Sequence, residues 1–234
     1  MAVDFLRNRP PPAVRSGEFC EDGVVASTKR LTARSRAARD SGGSGRRAEL
    51  LAIAGELFAI RGFLATTVRD IADAAGILSG SLYHHFDSKE SMVDEILREF
   101  LDAQRETNEQ VLREASDPRA AIIELIRRSF GAMRQYRAAI AIFQNESKYL
   151  GGFERFGYLQ QAAEDFERVW TRVLQDGRSA GVFREDLDPK VTYRFIRDMV
   201  WTAVHWYDPS GTLTADGIAD QYIKILCGGI VLRE

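Results

Sequence analysis

The 234-residue chain is poor in the side chains that bind most metals and staple most small secreted domains. Its two cysteines, Cys20 and Cys227, form no CxxC pair and no disulfide framework, which fits a reducing compartment. Of three histidines, His84 and His85 are adjacent and cannot share one helix face, so no metal site is legible. No apolar run approaches the roughly 18 residues of a membrane-spanning helix. The N-terminus lacks a compact apolar segment followed by a small-residue cleavage site. Also missing are a Ser/His/Asp or Cys/His arrangement at motif spacing, a phosphate-cradling glycine loop and a HExxH pair. These absences predict a cytoplasmic protein that is not an enzyme, has no cofactor and makes no membrane contact. No strand-length alternation of apolar and polar residues competes with the helical period, and no repeat is found, so the expected fold is all-α.

With 45% hydrophobic residues the chain can bury a sizeable core in one or two domains. The formal net charge is −2, yet residues 1–47 are net basic and the remainder net acidic. Composition alone therefore does not announce a nucleic-acid binder. Residues 1–45 read as a disordered arm, with Pro10-Pro11-Pro12 against helix, a linker at Ser41-Gly42-Gly43-Ser44-Gly45, and Lys29, Arg30, Arg34, Arg36 and Arg39 as a basic stretch. Such an arm suits phosphate or minor-groove contact. The plainer reading, a solvated tail or a start codon assigned too early, is preferred.

From Arg46 the chain is strongly periodic. Leu50, Leu51, Ile53, Ala54, Leu57, Phe58 and Ile60 make one helical face, which Gly62 ends. The stretch Thr66–Phe86 then reads as a short helix, a glycine turn at Gly76 and a second short helix from Ser79. Thr66 is the expected N-cap, and Val68, Ile71, Ala72, Ala75, Ile77, Leu82 and Phe86 the buried side. The small polar face of Ser79, Gly80, Ser81, Tyr83 and His84 suits a DNA major groove. By pattern alone, an ordinary helical hairpin fits equally well. Ser88 or Ser91 caps a long helix running towards Ala115, and Pro118 opens further helices expected at about 118–135, 137–150, 154–180, 188–207 and 214–231. The domains are thus a 1–45 arm, a helix-turn-helix module at 46–92 and a helical domain at 93–234.

The order Gly62-Phe63, Thr66-Thr67-Val68-Arg69-Asp70-Ile71-Ala72, Ala75-Gly76, Ser81-Leu82-Tyr83-His84-His85-Phe86 and Ser88-Lys89-Glu90 strongly resembles the N-terminal domain of TetR-family repressors. The run Ile77–Phe86, with Tyr193-Arg194-Phe195-Ile196-Arg197-Asp198 and Trp206-Tyr207, resembles actinobacterial TetR-type repressors of sterol degradation. That resemblance implies a homodimer on a near-palindromic double-stranded operator, controlling sterol ring-degradation genes and released by an acyl-CoA effector, a CoA thioester of a partly degraded steroid. It places Ser79, Gly80, Ser81, Tyr83 and His84 at the DNA, with Thr67 and Lys89 holding phosphates. A repressor of the same fold sensing a fatty acyl-CoA or a drug is the alternative.

The effector side is read from the helix at 188–207. Arg197, Trp201 and His205 fall at i, i+4 and i+8, with Arg194 beside them, among Phe195, Ile196, Met199, Val200, Ala203 and Val204. A guanidinium beside a tryptophan suits an anionic CoA conjugate, by stacking on adenine or holding a phosphate. An exposed Arg–Trp pair at a dimer surface is the bland alternative. Gln144 and Asn145 are weaker candidates to bond a ketone oxygen. Phe143, Phe130, Met133, Phe166 and Trp170 offer apolar walls, although plain core is the commoner fate of such residues. The last helix, through Ile218, Tyr222, Ile225, Leu226, Gly229 and Ile230, is expected to pair with helix 188–207 across the dimer. An all-α acyl-CoA enzyme remains the reading from a different functional class.

Overall fold

The computed structural model describes residues 43–230; the basic arm and Cys20 lie outside the described residues. Within that span the chain folds into α1 (Gly43–Arg61), α2 (Val68–Ala75), α3 (Ser79–Leu82), α4 (Lys89–Glu114), α5 (Pro118–Leu150), a 3-10 turn at Glu154–Phe156, α6 (Tyr158–Ser179), α7 (Pro189–Trp206) and α8 (Ala215–Ile230). The first helix begins before Arg46, so the glycines expected in a linker form its first turn.

Caps set most helix starts. Ser88 accepts from the Ser91 amide and Ser91 reaches back to the Ser88 amide, a reciprocal box that opens α4. Asp117 accepts from the Ala120 amide with Pro118 at the first helical position of α5, and Asp188 and Pro189 repeat the device at α7. The expected cap at Thr66 is displaced by one residue. Thr67 caps α2, whereas Thr66 is fully buried and its hydroxyl donates to the carbonyl of Gly62 at 2.8 Å. The carbonyls ending α1 lack helical partners, and Thr66 supplies one before Thr67 opens the next helix.

The two helices expected at 118–135 and 137–150 are one helix, interrupted where Tyr136 leaves helical geometry at φ −112° and ψ 21°. Just past that point the Arg137 guanidinium donates to the Val204 carbonyl, tying the distal half of α5 to α7. The helix expected from 154 divides into the 3-10 turn and α6. Helix α5 is the axis of the larger domain, packing on α4, α6, α7, α8 and, unexpectedly, α1. A continuous apolar core runs from Leu50 in α1 to Ile223 in α8. The division expected between 92 and 93 falls inside α4.

Candidate functional site

Helices α2 and α3 form the expected helix-turn-helix. Gly76 closes α2 in the left-handed region at φ 66°, and Ile71, Ala72, Ala75, Leu82 and Phe86 are buried, with Val68 and Ile77 half-buried. That leaves Gly80, Tyr83 and His84 exposed and Ser79 and Ser81 half-exposed on one short polar surface. Tyr83 is 56% exposed, a large ring with no place in the core. A Cβ at Gly80 would meet nothing within 4 Å, so the fold itself sets no requirement for glycine there.

Thr67 and Lys89, expected to hold phosphates, both make bonds within the module. The Thr67 hydroxyl donates to the Asp70 carboxylate and accepts from the Asp70 amide, and this bonding holds Asp70 below the usual carboxylate range. The Lys89 ammonium donates to the carbonyls of Phe63 and Thr66 at 2.9 and 3.1 Å and lies 4.3 Å from the Phe63 ring centroid. Other basic groups of the module are also engaged. Arg46 donates to the last carbonyl of α2 at Ala75, and Arg47 pairs with Glu95 while lying over Phe86. Arg69 stands in open solvent beside Asp73. The surface is therefore one of hydroxyls, amides and rings rather than of dense positive charge.

In the larger domain, α4, α5, α6 and α7 enclose a narrow cavity of about 50 Å³. Trp170, Phe166, Met133 and Trp201 wall it with Tyr193, and Arg197 stands at its edge. The guanidinium is 5.4 Å from the Trp201 ring centroid and 5.6 Å from that of Tyr193, and its Nε donates to Asp198 at 2.8 Å. Burial pushes the Tyr193 hydroxyl up to about 12, so it remains a neutral donor. Two wider grooves share lining residues with this cavity, one of about 420 Å³ between α4 and α5 and one of about 510 Å³ between α4 and α6.

Arg197, Trp201 and Trp170 thus come together, but other expected contacts do not. Arg194, His205 and Asn145 are exposed and away from the cavity. The 100° step of a helix carries His205 beyond the face that Arg197 and Trp201 share, since eight residues overshoot two turns. Gln144 is occupied structurally, donating to the Trp201 carbonyl, and Phe130 packs instead on Tyr222. Phe143 is buried behind the cavity wall, its ring 5.8 Å from that of Trp201. Sequence reasoning missed Gln104 and Asn108 of α4, which face the cavity. Their signal was present: two amides interrupt the i, i+4, i+8, i+11 stripe of Phe100, Gln104, Asn108 and Val111.

Two bonds join the cavity's scaffold to the helix-turn-helix module. Glu146, on the distal half of α5, accepts from the Phe63 amide at 3.1 Å, and Tyr158 of α6 donates to Asp94 near the start of α4 at 2.8 Å. Elsewhere, the outer face of α7 exposes Phe195, Met199 and Trp206, and α8 exposes Ile225. Tyr222, expected in that outer surface, is buried against the core instead.

The profile of the bacterial regulatory proteins of the tetR family matches residues 50–96, and that of the tetracyclin repressor-like C-terminal domain matches residues 115–230. The chain is 52% identical to the HTH-type transcriptional repressor KstR2 of Rhodococcus jostii (strain RHA1) over 190 residues, 81% of this chain and 93% of that protein. The structure of the ketosteroid transcriptional regulator KstR2 of Mycobacterium tuberculosis superposes with a TM-score of 0.78 at 45% identity, covering 84% of this chain and 99% of that one. AibR in complex with isovaleryl coenzyme A and operator DNA shares the fold, with a TM-score of 0.66 at 23% identity over 77% of this chain and 97% of that one.

Proposed function

The chain belongs to the TetR family of transcriptional regulators, and from that premise we propose that it represses sterol ring-degradation genes and leaves its operator when a CoA thioester of a partly degraded steroid binds. The observation that carries this reading is the cavity walled by Trp170, Trp201 and Phe166 with Arg197 at its edge. Flat apolar walls suit fused rings, and a guanidinium stacked near an indole suits the phosphates or adenine of CoA. The identity with KstR2, a ketosteroid regulator in M. tuberculosis, supports the ring chemistry. The AibR complex supports a CoA thioester as an effector compatible with this fold.

The repressor is a homodimer in this reading, with the polar face of Ser79, Gly80, Ser81, Tyr83 and His84 from each protomer in successive major grooves. Hydroxyls and backbone amides fix register there, and Tyr83 combines a phosphate-bonding hydroxyl with a ring that meets a thymine methyl. Release follows from size. Drug-sized ligands occupy sites of about 300–1,000 Å³; the groove of about 510 Å³ between α4 and α6 can take one part of such a ligand, and the inner cavity of about 50 Å³ must widen to take fused rings. Entry of a fused-ring ligand spreads α4 from α5, α6 and α7. Because α4 begins inside the DNA-facing module, its displacement changes the separation of the two recognition helices. The ligand's preference for the spread conformer supplies the coupling, about 1–3 kcal/mol in typical cases.

The test is operator release followed by fluorescence anisotropy. CoA thioesters of fused-ring steroid fragments should release the wild-type protein, and free CoA should not. Arg197→Met should bind operator normally and require at least tenfold more thioester. Unchanged operator affinity at saturating thioester overturns the effector assignment, and equal release by long-chain fatty acyl-CoA moves it to that class.

A further inference from the structure

Asn108 is 3% exposed, yet it lines the apolar cavity on α4. Its side-chain oxygen accepts from Gln104 Nε2 at a long 3.4 Å, and among the described residues its own amide nitrogen meets no protein acceptor. The other polar groups around the cavity are engaged. The Ser129 hydroxyl donates to the Leu125 carbonyl one turn back, and Arg197 is turned to Asp198. The Asn108 amide nitrogen is open to the cavity space rather than sealed in the core, so a donor without a protein partner faces the place a ligand would fill. Asn108 also has a distinctive place, since with Phe166 it borders both the inner cavity and the groove between α4 and α6.

We infer that Asn108 Nδ2 is the donor for a carbonyl oxygen carried on the ring portion of the effector, and so selects ketone-bearing fused rings. The inference rests on the acyl-CoA reading of the cavity and deepens it. With the CoA end at Arg197 on α7 and the carbonyl at Asn108 on α4, the ligand is held at two points on different helices. One of those helices runs into the DNA-facing module. Recognition of the carbonyl and movement of α4 are thus one event. A ligand of equal bulk without the oxygen leaves the amide unpaired and binds more weakly, by on the order of tenfold to a hundredfold.

The experiment uses the full-length dimer and an operator duplex selected with the protein itself. Three probes are compared: the CoA thioester of a fused bicyclic keto acid, the same thioester with the ketone reduced to a methylene, and that with a secondary alcohol. The ketone should release the wild-type protein at a concentration at least tenfold below the methylene probe. Asn108→Leu should bind operator as wild type does, melt no lower than wild type, and respond equally to ketone and methylene. Equal release by ketone and methylene in the wild type strikes the Asn108 assignment and leaves the acyl-CoA reading standing. So does a preference for the alcohol over the ketone, or a discrimination that survives Asn108→Leu. A fall of several degrees in the melting temperature of Asn108→Leu assigns the amide to structure and also overturns the inference. Failure of every thioester on the wild type overturns the acyl-CoA reading, and the inference with it.

Discussion

Two glycines show how one residue type is required for opposite reasons. At Gly177, in α6, an added Cβ would lie 2.1 Å from a carbon of the Phe183 ring, and Phe183 is itself buried. The chain turns back on α6 there, with the amides of Val182 and Phe183 both donating to the Gly177 carbonyl. Gly177→Ala gains helix propensity but forces the ring off its packing, so it should destabilise the protein by about 1–3 kcal/mol in chemical denaturation. Gly80 is the reverse case, because the space beside it is empty. Gly80→Ala should leave the melting temperature unchanged or raise it slightly, while operator affinity falls at least tenfold. Retained affinity would remove the close approach of DNA at that residue. Gly80 stands out in the sequence on a small polar face, whereas the clash at Gly177 is not visible there, the residue being simply a glycine within a helical stretch. Lys89 is similar, a lysine near a helix start that suits a phosphate by pattern. Only the tertiary structure places the carbonyls of Phe63 and Thr66 within its reach.

Helices were far more legible than their partners. Ser88, Asp117 and Asp188 declare helix starts because a cap is a local bond between residues three apart. The facing of α8 was not legible, since Ile218, Tyr222, Ile225 and Leu226 form one stripe of about 100° and periodicity cannot choose which edge of that stripe meets the core. Packing settles it, with Ala219 and Tyr222 inward and Ile225 outward. The union of α5 across Tyr136 was equally hidden, and it matters because the distal half carries both the aromatic wall at Phe143 and the bond from Glu146 to Phe63. That bond spans 83 residues of sequence, so no local pattern announces it. Glu146→Ala leaves the amide of a buried residue without its acceptor, which should cost about 1–3 kcal/mol. Hydrogen exchange should quicken in the segment from Gly62 to Thr66 and stay unchanged around Trp170. Unaltered exchange at Phe63 would show that α5 and the module are held together by the apolar contacts alone.

At the scale of the whole molecule, the charge balance and the exposed apolar face lead to the same conclusion. Among the described residues, a module that turns Arg46, Arg47 and Lys89 to internal partners has few cations left for phosphates. In the proposed dimer the described surface gains operator affinity by doubling the number of grooves contacted, so dimerisation is expected to be a condition of DNA binding rather than an accessory to it. The surface to do this is present. Phe195 on α7 and Ile225 on α8 are each 70% exposed, and Met199 and Trp206 continue the α7 face. Single exposed apolar residues need no explanation, but a row of four on two adjoining sequence elements exceeds ordinary surface composition. Because these side chains contribute little to the protomer's core, charging them should spare the fold and break the assembly. Phe195→Glu combined with Ile225→Glu should keep the wild-type helical circular dichroism and sediment as a monomer at micromolar concentration. Its operator affinity should fall at least a hundredfold, while each isolated module still contacts a single groove weakly. A double variant that remains dimeric, or a monomer that retains full affinity, would place the source of operator binding within one protomer.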